Sequence, residues 1–195
     1  MKSICVYCGA NPGTLPIYRE SAMRLGQLLA KARVQIVYGG GNVGLMGIIA
    51  DAALAEGGHV LGVIPESLEK LEVAHRGLTE LRIVRSMHER KLMMAEHSQA
   101  FIALPGGIGT AEEIFEVFTW SQLGIHLKPC GILNVGGFYD GFIQQIQRMV
   151  TDGLLRAEQA EQLIIDDDME RLLKRLMTLQ PRVLQKWTER EKVVL

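Results

Sequence analysis

The feature that most constrains this chain is a series of short apolar runs that do not alternate with polar residues, each followed by an amphipathic stretch. A strand with one wet face alternates apolar and polar side chains. A run such as AFIAL at 100–104 is apolar on both faces, as a sheet requires when helices cover both its sides. By this criterion strands are expected at 3–7, 35–38, 59–64, 81–84, 100–104, 130–134 and 163–165. The intervening periodicity places helices at 17–32, 45–56, 88–97, 111–123, 138–152 and 169–178. Strand–helix repetition of this kind implies right-handed crossovers. The expected fold is therefore α/β: a Rossmann-like doubly wound parallel sheet of about seven strands with helices on both faces.

With 195 residues the chain is long enough for one domain. Residues 1–180 are expected to form a single nucleotide-binding α/β domain. Residues 181–195 form a charged C-terminal tail in which Trp187 is the one large anchor. Lys plus Arg (21) nearly equals Asp plus Glu (22), so no cationic surplus exists to drive binding to nucleic acid or an acidic membrane. Apolar stretches are broken well before the length of a membrane span, and MKSICVYCGANPG lacks the apolar run of a signal peptide. The expected compartment is the cytoplasm. Cys5 and Cys8 spell C-x-x-C, but on a strand residues three apart point to opposite faces. They read as core cysteines. The five histidines show no ligand spacing, and no metal is expected.

In open α/β sheets ligands bind beyond the carboxyl ends of the strands. That selects residues 8–13, 39–47, 65–72, 86–90 and 105–113. The first glycine cluster, GGGNVGLMG at 39–47, formally satisfies G-x-G-x-x-G through Gly39, Gly41 and Gly44. It follows the second strand rather than the first. The next strand, HVLGVIP, ends without the acidic residue that holds a dinucleotide's ribose, so an NAD oxidoreductase is disfavoured. Ligand contact at Gly40 and Gly41 competes with a plain tight turn. The second cluster, PGGIGTAEE at 105–113, puts three glycines in four positions at a helix start, an arrangement suited to a phosphate. Without a following Lys it is no Walker A loop. Gly106, Gly107, Ile108, Gly109 and Thr110 are the candidate phosphate contacts. Thr110 and Glu113 also match a T-x-x-E capping box, so Glu113 either ties down its own helix or, beside such a cradle, faces the ligand. In SMHERK, Ser86 and Glu89 match a second capping box. Arg90 then sits in a first helical turn, where a cation opposes the helix dipole and so suggests a task.

A phosphate cradle, an Arg and a carboxylate suit chemistry on a nucleoside monophosphate. N-glycosidic cleavage is one permitted reaction, since a carboxylate stabilises an oxocarbenium-like transition state and handles water. Taken together, CVYCGANPG, GGGNVGLMG, MHERK, PGGIGTAEE and LNVGGFYD resemble the LONELY GUY (LOG) family. Its members are cytokinin riboside 5′-monophosphate phosphoribohydrolases, often mislabelled lysine decarboxylases. The resemblance implies a catalytic pair at Arg90 and Glu113, and nucleotide contacts at Lys91, at Gly107 through Glu113, and at Thr119. It also implies a substrate-contacting Glu72 in the long stretch 65–80, cleavage to free base and ribose 5-phosphate, and no cofactor. An AMP nucleosidase with little cytokinin preference and a non-catalytic nucleotide carrier are the competing readings. The stretch 111–123 carries Ile114, Phe115, Val117, Phe118, Trp120 and Leu123 around most of its circumference. A helix apolar all round is buried on several sides, and a homodimer is expected to cover one of them.

Overall fold

A computed structural model of the chain describes residues 1–69 and 74–182. Seven strands form one all-parallel sheet: β1 (Ser3–Tyr7), β2 (Gln35–Tyr38), β3 (Val60–Pro65), β4 (Glu80–Val84), β5 (Phe101–Ala103), β6 (Cys130–Leu133) and β7 (Leu163–Asp166). Their order is β4-β3-β2-β1-β5-β6-β7. The chain winds outward from β1 to β4, crosses to β5, and winds outward again on the other side. The expected Rossmann-like doubly wound sheet is what forms, and each expected strand lies within a residue of its observed position.

The non-alternating runs have the cause inferred from them. On β1, Ile4 and Val6 pack with α1 (Pro16–Lys31) and α2 (Gly44–Ala55), in the same core that α8 (Met169–Thr178) closes through Leu172 and Leu176. Cys5 and Tyr7 face the other side, where α4 (Met87–Glu96), α5 (Ile108–Gln122) and α6 (Asp140–Thr151) supply Met94, Ile114, Val117, Phe118 and Ile146. Cys5 and Cys8 belong to these two opposite cores, and both are buried free thiols.

Two single-turn helices, α3 (Glu66–Glu69) and α7 (Ala157–Ala160), carry no periodic signal and were not expected. In the long stretch after β3, α3 is followed beyond residue 73 by Ala74, which forms an antiparallel bridge to Gly41. The expected helix at 111–123 begins earlier, at Ile108, because extended Gly107 (φ −87°, ψ −161°) takes the N-cap position. Thr110 therefore lies inside the first turn and cannot cap it. The T-x-x-E capping box is not formed, and no side chain caps this helix. Its apolar residues are also largely absorbed within the chain. Ile114, Val117 and Phe118 face the sheet, and Phe115 stacks on Phe142 of α6 at 5.3 Å. Leu123 is left half exposed. Glu72 and the tail beyond Arg182, with Trp187, lie outside the described residues.

Candidate active site

Strands β1 and β5 are neighbours whose following segments diverge, α1 to one side and α5 to the other, which makes their carboxyl ends the switch point of the sheet. A cavity of about 430 Å³ opens there. The loop after β1 and the Pro105–Gly106–Gly107 turn after β5 form adjoining walls. They meet backbone to backbone: Gly9 N–H donates to Pro105 O at 3.1 Å, and a Cβ on Gly9 would lie 3.3 Å from Gly106 Cα. Side chains at these two positions would force the walls apart.

The cradle residues Gly106, Gly107, Gly109 and Thr110 line this cavity, whereas the Ile108 side chain points to solvent. The first N–H groups of any helix have no intrahelical acceptor, and those of α5 have no side-chain cap either. With the helix dipole behind them they favour an anion.

Arg90 and Glu113 also line the cavity, with Nη1 of the arginine 3.9 Å from Oε1 of the glutamate. The arginine side chain is only 9% exposed. It leaves α4 and reaches over β2 and β3, where Nε donates to Val63 O and Nη2 to Gly39 O, each at 3.1 Å. Those carbonyls accept a cation that the helix start would repel. Gly39 is required for this placement, because a Cβ there would fall on the guanidinium. Burial pushes the Glu113 carboxyl up to about 7; Arg90 opposes that rise and Glu112 adds to it. The Ser86 cap does form, with Oγ accepting from Glu89 N–H at 3.1 Å, while the Glu89 carboxylate accepts from Arg85 N–H. Glu89 is thereby a structural residue of the α4 start.

Four other expected contacts are not brought to the cavity wall. Gly40, at φ +75°, packs against Val63 and Ile64, and its carbonyl accepts from His75 N–H. Gly41 accepts from the Tyr38 hydroxyl at 3.2 Å. This glycine cluster serves close packing, and only its neighbours Leu45 and Met46 reach the cavity. Lys91 turns toward α5 and donates to Glu112 and Glu116. Thr119 is exposed, about 13 Å along the α5 axis from Thr110. Conversely, Tyr18 and Phe138 line the cavity from outside the segments selected by sequence, and Met87 lines it from within the selected segment 86–90. Met87 precedes MHERK's charged residues and Phe138 lies in LNVGGFYD, so both motifs marked the right segments. Tyr18 had no signal beyond an early place in α1. No group of three His, Cys, Asp or Glu side chains among the described residues is placed to hold a metal ion.

By fold the chain is an α/β protein of the Rossmann-like class with its cavity at the topological switch point. The family model described as "Possible lysine decarboxylase" matches residues 46–176. The cytokinin riboside 5′-monophosphate phosphoribohydrolase of Rhodococcoides fascians is 49% identical over 170 residues, covering 87% of this chain and 86% of that protein. The enzyme of the same name, LOG, from Oryza sativa subsp. japonica is 51% identical over 164 residues, 84% of this chain and 67% of that protein. The chain belongs to this family, the LONELY GUY phosphoribohydrolases. In three dimensions it is similar to the molybdenum cofactor binding protein from Rippkaea orientalis, with a TM-score of 0.68 and 22% identity over 91% of this chain and 99% of that one. That likeness is one of fold.

Proposed function

We propose that this chain hydrolyses the N-glycosidic bond of cytokinin riboside 5′-monophosphates, and of AMP, to free base and ribose 5-phosphate. The observation that carries the reading is a buried carboxylate, Glu113, set beside Arg90 in the second turn of a helix whose uncapped start faces the same cavity. The names of close relatives support it. In this reading the N–H groups at the α5 start hold the 5′-phosphate and fix the ribose. The bond from C1′ to the base breaks, and its electron pair leaves with the base. Positive charge develops at C1′ opposite the Glu113 carboxylate. Water adds its oxygen to C1′, Glu113 accepts the proton, and the departing base takes it up. A carboxyl pushed up to about 7 accepts and releases a proton with little penalty near neutral pH. Arg90, already held by two carbonyls, keeps Glu113 in place and balances its charge. No cofactor enters these steps.

The test is to incubate the purified chain with isopentenyladenosine monophosphate, AMP and adenosine, and to measure free base. Release from both monophosphates and very little from adenosine is expected, because phosphate binding is used at the reacting centre. Comparable kcat/KM for AMP and adenosine overturns the cradle. Tight binding of the monophosphates without cleavage turns the assignment to a carrier. AMP strongly preferred over its prenylated form turns it to an AMP nucleosidase.

The single sheet supports reading residues 1–180 as one nucleotide-binding domain. Three buried free thiols suit a reducing cytoplasm, and no described helix is long and apolar enough to cross a membrane. We also infer a homodimer, now on a narrower basis. Leu123, Ile125 and Leu127 leave an exposed apolar rim where α5 ends, and Thr119 stands on the exposed side of the same helix.

A further inference from the structure

Consecutive residues of α4 send two cations to α5, and only the first reaches the cavity. Lys91 is nine-tenths buried, with Nζ 2.6 Å from Glu112 Oε1 and 2.9 Å from Glu116 Oε1. Glu112 lines the cavity, one residue before Glu113. Glu116 lies one turn further on, and its Oε2 is buried with no partner among the described residues. Three carboxylates thus crowd little more than one turn of one helix, and Glu113 has the least exposed side chain of the three.

We propose that Lys91 is a positioning residue: it holds Glu112 and Glu116 toward α4 and cancels their charge, so that Arg90 is the cation left to pair with Glu113. The inference rests on the reading of Glu113 given above. It departs from the substrate contact that the resemblance implied for Lys91. Several observations agree. Burial alone would lower the Lys91 amine, yet its two glutamate hydrogen bonds outweigh burial and hold it above its ordinary value. The cation is therefore kept at any working pH. Glu113 faces Arg90 and Lys91 from α4, Glu112 and Glu116 from its own helix, and Cys5, Tyr7 and Cys8 from β1 and the residue that follows it. Burial pushes those last three groups up, so they stay neutral. The balance at Glu113 is then set by two cations and two carboxylates. Without Lys91, two carboxylates are left uncompensated within a turn of the catalytic one, and Glu112 becomes free to compete for Arg90.

The experiment follows the Glu113 carboxyl by ¹³C NMR titration without substrate, assigned with Glu113→Gln, alongside the pH dependence of kcat/KM for AMP. In Lys91→Met the titration and the acid limb should both move upward by about one pH unit, a tenfold change in the acid-to-carboxylate ratio. Lys91→Arg should leave both where they are. Adding Glu112→Gln and Glu116→Gln to Lys91→Met should bring them back. Should Lys91→Met fail to fold, Glu116→Gln alone carries the test with the opposite sign, a downward shift. A raised KM with an unmoved titration would restore the substrate-contact role and overturn the proposal, as would loss of stability with an unmoved titration. Because the titration needs no turnover, it stands apart from whether the chain cleaves these nucleotides.

Discussion

At the scale of single residues, Glu113 carries the most consequence. Glu113→Gln keeps the shape and removes the charge. Turnover should fall about 100-fold or more, as on losing a key electrostatic group, with circular dichroism unchanged. The wild-type kcat/KM should rise with pH through about 7, as the buried carboxyl ionises. Stability runs the other way. A carboxyl raised from its ordinary 4.5 to about 7 by burial leaves the folded state holding more protons than the unfolded one across that window. Its contribution is full below 4.5 and is lost as pH rises through about 7. Above pH 7, Glu113→Gln should therefore melt no lower than the wild type, which thermal unfolding at two pH values checks. Gly39 offers a second test. A methyl there must displace the Arg90 guanidinium and break its bond to the Gly39 carbonyl. Gly39→Ala should cost at least tenfold in kcat, since small misplacements of catalytic groups are expensive. Unchanged kcat would mean that Arg90's present position does not matter to turnover.

At the scale of elements, α4 is fastened at both ends by side chains. The Ser86 hydroxyl caps its start, and Lys128, from the segment before β6, donates from Nζ to Ala95 O in its last turn at 2.6 Å. Lys128→Met should cost about 1 kcal/mol, or about 2–4 °C in Tm, while leaving KM for AMP unchanged. This scale also shows what a sequence can disclose. AFIAL and its counterparts were legible because burial on both faces leaves its mark on every residue of a strand. The start of α5 was misplaced by three residues, because Gly107, Ile108 and Gly109 have weak helix propensity and only the backbone of Gly107 decides where the helix begins. α3 and α7 are a single turn each, too short for periodicity to register. That Gly40 and Gly41 stand off the cavity wall was not legible for a different reason: glycine that admits a ligand and glycine that admits a neighbouring strand look alike in sequence. The pairing of Arg90 with the Gly39 and Val63 carbonyls joins positions far apart along the chain, and only the folded sheet brings them together.

At the scale of the whole molecule, the dimer inference is decided by mass. Light scattering at micromolar concentration should give twice the 21.6 kDa of one chain. Leu123→Asp with Ile125→Asp should return it to that value without unfolding it, since both residues are at least half exposed. A 21.6 kDa wild type would leave the rim without a partner and end the inference. The switch point has a further consequence, for how activity is acquired. Strands β1 to β4 are continuous in sequence, and so are β5 to β7; the two halves are stitched by the pairing of Cys5 with Phe101 and its neighbours. Arg90 is seated by the first half, and Glu113 is carried into the cavity by the helix that opens the second. Contacts so distant along a chain form late. During refolding, each half can regain its helices and local pairings while the chain remains catalytically silent, and turnover reports the single event that zips the halves together.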